Sequence, residues 1–151
     1  MKIVDIYGWG LPKQADFLSH FKGNDTLYNQ ARALWSKLDA CTIWFIVAFV
    51  VLALVFAFIY YGPYNNKPHR HYKVKHWLIW LLITAAASFV VTSVMGLIMV
   101  QSPLAARTGL ILRISGVNVV YSVGLYFIVA LLVCNLPFIK TNAYRFLKFG
   151  K

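Results

Sequence analysis

Between residues 40 and 61 the chain reads ACTIWFIVAFVVLALVFAFIYY, which is 22 residues without a charged side chain. About 20 apolar residues allow an α-helix to cross the roughly 30 Å of hydrocarbon in a bilayer. An aromatic pair, Tyr60 and Tyr61, then precedes Gly62 and Pro63, a combination typical of a helix end at the membrane surface. We therefore predict a first transmembrane helix over residues 40–61.

Two further apolar runs follow, WLIWLLITAAASFVVTSVMGLIMV at residues 77–100 and VNVVYSVGLYFIVALLVCNLPF at residues 117–138. Each is long enough to span a bilayer and contains no charged residue. The predicted fold is an all-α integral membrane protein with three transmembrane helices. Three helices bury little surface by themselves, so we also expect an oligomeric bundle.

The charge of the chain is strongly one-sided. It has no Glu, a formal net charge of +11, and only four acidic residues, Asp5, Asp16, Asp25 and Asp39. The charge is +1 over residues 1–39 and +10 over the rest, which holds no carboxylate. A basic surface beside apolar helices attracts anionic lipid headgroups, so the lipid bilayer is the expected partner and nucleic acid ranks well below it.

Most of these bases lie in the loop at residues 62–76 and the tail at residues 139–151, which three spans place on one side of the membrane. The side chains expected to bind lipid headgroups are Lys67, Arg70, Lys73, Lys75, Lys140, Arg145 and Lys148. Cytoplasmic loops are enriched in Lys and Arg. We therefore expect a multi-pass protein of a plasma or bacterial inner membrane, with its N-terminus outside and its C-terminus in the cytoplasm.

Residues 1–39 predict two short amphipathic helices. Pro12 and Gly23 bracket the first, and Asn24 or Asp25 can cap the second. The second carries an apolar stripe at helical spacing: Leu27, Tyr28, Ala31, Leu34, Trp35 and Leu38. The stripe suits either a helix that lies on the lipid headgroups or a surface that packs against a neighbouring subunit.

Small and weakly polar residues recur at every fourth position of the second span: Thr84, Ser88, Thr92 and Gly96. Small residues let helices approach closely, and hydroxyls can donate hydrogen bonds across the contact. The usual use of this pattern is a helix-packing seam. The alternative is a weakly polar pore lining, formed when several copies assemble into a ring.

The third span carries Asn118 and Ser122 on one face, together with Ser115 just before it. A buried amide needs hydrogen-bond partners inside the protein, and we expect Asn118 to find them among hydroxyls of the second span. The alternative is again a pore lining. The segment at residues 101–116 is predicted to form a short connecting helix capped by Ser102, with Arg113 as an anchor at the membrane surface.

The sequence offers little to catalysis, and we expect neither an enzyme nor a cofactor. The predicted spans hold no acid for proton-coupled transport or aspartyl proteolysis, and there is no phosphate-binding glycine loop. His69, His71 and His76 lack acidic or thiol co-ligands and lie among cations, so no metal site is predicted. Cys41 and Cys134 lie roughly 22 Å apart in depth on parallel helices, too far for a disulfide.

Two functional hypotheses follow from these patterns. In the first, the protein is a subunit of an oligomeric channel or membrane-permeabilising pore lined by the small polar residues of the second or third span. In the alternative, it is a non-catalytic scaffold or anchor subunit of a larger membrane complex. Both hypotheses imply partners within the membrane, either further copies of the chain or other membrane subunits.

Overall fold

A computed structural model describes residues 2–64 and 74–134 of the chain. About 85% of these residues are helical and none of them lies in a strand, which confirms the all-α class. The helices are α1 (Ile3–Tyr7), α2 (Gln14–Ser19), α3 (Asp25–Ile59), α4 (Val74–Met99) and α5 (Ala106–Cys134), and a π-helical turn (Tyr60–Tyr64) follows α3. Three of them, α3, α4 and α5, are long and apolar enough to span a membrane, as predicted.

Helix α3 joins two segments that the sequence analysis kept apart. The Asn24 side-chain oxygen accepts a hydrogen bond from the Leu27 amide at 3.1 Å, so Asn24 caps the helix as predicted. From Asp25 the helix continues without a break for 35 residues, roughly 52 Å at 1.5 Å per residue. The predicted second N-terminal helix and the first predicted span are therefore one helix, longer than a bilayer core is thick.

One face of α3 is buried from its polar beginning into its apolar part. The buried residues are Ala31, Leu34, Trp35, Leu38, Cys41, Thr42 and Phe45. They repeat at intervals of three and four, which is the spacing of a single helical stripe. The apolar stripe predicted to face headgroups or a neighbouring subunit is thus largely covered by the chain itself, although Leu27 remains 39% exposed.

Helix α5 begins before the predicted third span. Residues 101–105 are not helical, and the Ser102 hydroxyl accepts a hydrogen bond from the Leu104 amide at 3.3 Å. Residues 101–116 therefore form no separate connecting helix. Instead, α5 itself starts at Ala106 and runs unbroken through Arg113. The Arg113 side chain is exposed.

The chain divides into two compact units. Unit 1 comprises Met1–Ala48 and Phe89–Asn118, and therefore holds α1, α2 and one part of each long helix. Unit 2 comprises Phe49–Ser88 and Val119–Lys151. Each unit has its own buried residues.

Candidate functional site

The polar centre of unit 1 is the side chain of Asn118, which is fully buried. Its amide nitrogen donates to the main-chain oxygen of Phe45 at 3.0 Å and to the Thr92 hydroxyl at 2.9 Å. Its amide oxygen accepts a hydrogen bond from the Tyr7 hydroxyl at 2.7 Å. The bond to Thr92 confirms the expectation that Asn118 pairs with a hydroxyl of the second span. We call these four residues the Asn118 network.

The Asn118 network joins four helices of unit 1. Tyr7 belongs to α1, Phe45 to α3, Thr92 to α4 and Asn118 to α5. A buried amide that lost these partners would carry a desolvation cost of about 1–3 kcal/mol. The network therefore specifies one arrangement of the four helices within the unit.

A close helix contact lies beside this network at Gly96. A Cβ atom at this position would lie 2.8 Å from Cγ2 of Ile111 and 3.5 Å from Cε1 of Phe45. Only a residue without a side chain allows the two helices to approach this closely. The small residue at Gly96 is thus used for packing α4 against α5 within one chain.

A second polar contact between these helices is made by two serines. The Ser93 hydroxyl donates to the Ser115 oxygen at 2.9 Å, and the Ser115 hydroxyl donates to the main-chain oxygen of Ile111, also at 2.9 Å. Ser115 is fully buried. The contact fixes the register of α4 and α5 together with the pair Thr92 and Asn118.

The N-terminal segment packs on the long helices of unit 1. The Ile3 amide donates to the Asp39 carboxylate at 2.8 Å, and the rings of Phe17 and Trp35 are 5.5 Å apart. Ile3, Tyr7, Leu11 and Phe17 are all buried. We call α1 and α2 together the N-terminal cap. The sequence did not predict its packing, because the only signals were isolated apolar residues in short helices.

The small polar residues of unit 2 form a different kind of hydrogen bond. Thr84, Ser88 and Ser122 are fully buried, as are the residues of the same pattern in unit 1. However, the Thr84 hydroxyl donates to the Trp80 oxygen at 2.8 Å and the Ser122 hydroxyl to the Val119 oxygen at 3.0 Å. Both bonds stay within one helix. They satisfy the hydroxyls without linking one helix to another.

The core of unit 2 is aromatic and small: Ala53, Ala57, Tyr60, Tyr61, Trp77, Tyr126 and Ala130. The Trp77 and Tyr126 rings are 5.7 Å apart, and the Tyr60 and Tyr61 rings are 4.9 Å apart and nearly perpendicular. Tyr60 and Tyr61 were expected to form an aromatic belt at the membrane surface. Both are at most 2% exposed and belong to this core.

The hydroxyl of Tyr126 in unit 2 and the indole nitrogen of Trp35 in unit 1 are buried and have no hydrogen-bond partner among the described residues. Such atoms are uncommon in folded proteins, since each carries a desolvation cost. From the sequence, Trp35 was expected only as part of the apolar stripe, and Tyr126 had no signal beyond its place in an apolar run.

The predicted headgroup-binding residues lie mostly outside the described part of the chain, as do His69 and His71. The exception is Lys75, which is exposed near the start of α4. Within residues 2–64 and 74–134, no three His, Cys, Asp or Glu side chains are grouped to hold a metal ion. Cys41 is a free, buried thiol.

In comparisons with protein-family models, curated proteins and solved structures, no match to this chain was found.

Proposed function

We propose that the chain is a non-catalytic anchor subunit of a membrane complex. The observation that carries the proposal is the burial of all six residues that were predicted to line a pore or pack helices: Thr84, Ser88, Thr92, Gly96, Asn118 and Ser122. They are covered within a single chain. A ring of several copies would need such residues on the outward faces of the helices.

The outward faces of the long helices support the same proposal. They expose large apolar side chains, such as Leu82 at 64%, Ile98 at 65% and Leu132 at 67%. Such faces suit lipid or the apolar helices of another membrane subunit. A path lined by them would favour expulsion of water over conduction of ions.

The non-catalytic part of the proposal rests on the four carboxylates. Asp5 accepts a hydrogen bond from the Lys2 amide at 3.0 Å, and Asp39 accepts one from the Ile3 amide at 2.8 Å. The first bond closes the start of α1, and the second ties α1 to α3. The remaining two, Asp16 and Asp25, are exposed. Ser19 and His20 lie beside Asp16, but both donate to its main-chain oxygen at 2.7 Å rather than to its carboxylate.

The proposed contacts of the anchor outside the hydrocarbon are its basic segments. The loop at residues 62–76 and the tail at residues 139–151 each carry four Lys or Arg and no acid. Positive charge of this kind favours the cytoplasmic side of a plasma or bacterial inner membrane and binds anionic headgroups. We therefore propose an N-terminus outside, a C-terminus in the cytoplasm, and partners within the membrane that are other subunits or further copies.

A pore is the second candidate, and one observation in unit 2 favours it. The hydroxyls of Thr84 and Ser122 bond within their own helices, and the buried Tyr126 hydroxyl has no partner among the described residues. Polar groups that are not tied to a neighbouring helix could line a water path if the helices moved apart. The pore hypothesis therefore concerns unit 2 more than the Asn118 network.

The test that separates the two candidates is ion and dye flux through liposomes that hold the purified protein, with Ser88→Leu and Asn118→Leu as variants. The anchor proposal expects flux no greater than in protein-free liposomes. Flux that Ser88→Leu abolishes while insertion and helix content are unchanged would replace the anchor with a pore.

The positive test of the anchor is photo-crosslinking in native membranes from Ile98 and Leu132, two exposed apolar positions of α4 and α5. We expect crosslinks from at least one position to a second polypeptide. Exposed Lys22 on the N-terminal segment serves as the matched control outside the apolar faces. Crosslinks to lipid alone from both apolar positions would contradict the proposal.

A further inference from the structure

A groove of about 400 Å³ lies in unit 1 between α2 and the beginning of α5. This volume falls in the roughly 300–1,000 Å³ range of small-molecule sites. Most of its lining is apolar, including the rings of Phe17 and Phe21 and the side chain of Leu110. Three titratable side chains complete it, namely Asp16, His20 and Arg113.

The two charged groups of the groove are not neutralised by the protein. Asp16 and Arg113 both have exposed side chains. Neither side chain makes a salt bridge or a hydrogen bond with another described residue. His20 is partly committed, because its Nδ1 atom donates to the main-chain oxygen of Asp16 at 2.7 Å. The groove therefore presents one carboxylate and one guanidinium, each with its hydrogen-bonding capacity open.

The depth of the groove follows from the Asn118 network. Asn118 on α5 lies level with Phe45 on α3, since the amide nitrogen is 3.0 Å from the Phe45 oxygen. Arg113 and Ala40 each lie five residues earlier on parallel helices, about 7.5 Å at 1.5 Å per residue. Arg113 is thus level with the first residue of the charge-free run at residues 40–61. A bilayer whose hydrocarbon begins with this charge-free run would place Arg113 beside the lipid headgroups.

We propose that this groove binds one phospholipid with an ethanolamine headgroup. The phosphate pairs with the guanidinium of Arg113, the ammonium donates to the carboxylate of Asp16, and the start of an acyl chain lies on Phe17, Phe21 and Leu110. A purely anionic headgroup would be repelled by Asp16. A choline headgroup matches the charges but has no N–H donor for the carboxylate.

This lipid site goes beyond the anchor function and does not depend on it. The basic segments attract negative charge in general, whereas the groove recognises a zwitterion by two opposite charges. Arginine suits the phosphate because its planar fork donates two parallel hydrogen bonds. The site would hold the N-terminal cap at a fixed depth in the headgroup layer.

The test is competitive binding by native mass spectrometry of the full chain, delipidated in detergent and offered dioleoyl lipids with ethanolamine, glycerol or choline headgroups. We expect the ethanolamine lipid to be retained preferentially. Arg113→Gln should weaken that retention about tenfold, the size of one lost charge-assisted interaction of roughly 1.4 kcal/mol. The matched control is Lys22→Gln, which removes a charge outside the groove and should change nothing.

The decisive variant is Asp16→Asn, which should reverse the preference so that the glycerol headgroup is retained above the ethanolamine headgroup. Equal retention of the three lipids by the parent would overturn the proposal. An unchanged order of preference in Asp16→Asn would also overturn it. Because both groove charges are exposed, helix content measured by circular dichroism should match the parent in every variant.

Discussion

Units 1 and 2 each contain a part of the same three long helices. However, the interactions that stabilise the inside of unit 1 differ from those inside unit 2. Unit 1 contains hydrogen bonds that cross from helix to helix, centred on Asn118 and extended by Ser93 and Ser115. Unit 2 contains an aromatic core beside alanines, with Thr84 and Ser122 bonded within their own helices.

This difference shows that the same small polar residue types serve two purposes in one protein. In unit 1 they specify one arrangement of the helices, since each hydrogen bond between two helices requires a particular partner at a particular position along the neighbouring helix. In unit 2 they contribute mainly small side chains that occupy little space, and the helices are stabilised by contacts between aromatic rings. Packing alone tolerates adjustment, whereas a network with directional bonds does not.

The largest effect should come from Asn118→Leu, which removes the centre of the unit 1 network. Tyr7 and Thr92 would each lose a buried partner, so we expect a loss of about 2–3 kcal/mol in the free energy of unfolding. The measurement is unfolding by SDS titration in bicelles. Ser122→Ala removes a hydroxyl bonded only within its own helix in unit 2 and should cost less than about 0.5 kcal/mol. Equal losses would erase the distinction between the units.

Gly96→Leu should come next, because the new side chain would collide with Ile111 and press on Phe45. Overpacking of this kind costs about 1–3 kcal/mol. Gly124→Leu in unit 2 is the control, since a Cβ there would meet nothing within 4 Å. If unfolding free energies of the two variants were the same, close packing would not distinguish the units.

A smaller effect is expected from Asp39→Ala, which removes the carboxylate that accepts the Ile3 amide at 2.8 Å. A hydrogen bond to a charged acceptor contributes about 1.5 kcal/mol. The loss should be local, so hydrogen exchange should quicken in α1 while α4 stays protected. Asp5→Ala, which affects an exposed bond within the same helix end, is the control. Uniform loss of protection throughout unit 1 would contradict a local role.

The smallest effect separates two buried tyrosines. Tyr7→Phe removes a hydroxyl bonded to Asn118 at 2.7 Å and should cost about 1 kcal/mol. Tyr126→Phe removes a hydroxyl without a hydrogen-bond partner among the described residues and should be neutral or slightly stabilising. SDS titration in bicelles compares the pair. A larger cost at Tyr126 would reveal a partner such as water and would strengthen the pore hypothesis in unit 2.

The helical class and the three long apolar helices could be predicted because they depend on length and charge alone. The shared burial of Thr84, Ser88, Thr92 and Gly96 could also be predicted, since a spacing of four places these residues on one side of a helix. Thr92 as a partner of Asn118 followed from the need of a buried amide for hydroxyls. These features are all properties of single helices or of adjacent ones.

Other features had no local signal. The Phe45 partner is a main-chain oxygen, and any residue could have supplied it. Tyr7 is 111 positions from Asn118 and lies in a five-residue helix. Tyr60 and Tyr61 fit a membrane-surface position as well as a core, so their burial in unit 2 had no signal in the sequence. The roles of the basic loop and tail stay predictions, because most of their residues lie outside the described part of the chain.

The bond between Tyr7 and Asn118 sets an order of events during synthesis. The two residues are separated by 111 positions, and at roughly 5–20 residues per second the ribosome needs about 6–22 s to pass from one to the other. During that interval Tyr7 of α1 cannot form its hydrogen bond to Asn118. The packing of α1, which is synthesised first, is therefore completed only after α5 has been made. The time at which the N-terminal segment becomes resistant to protease would therefore report when α5 inserts.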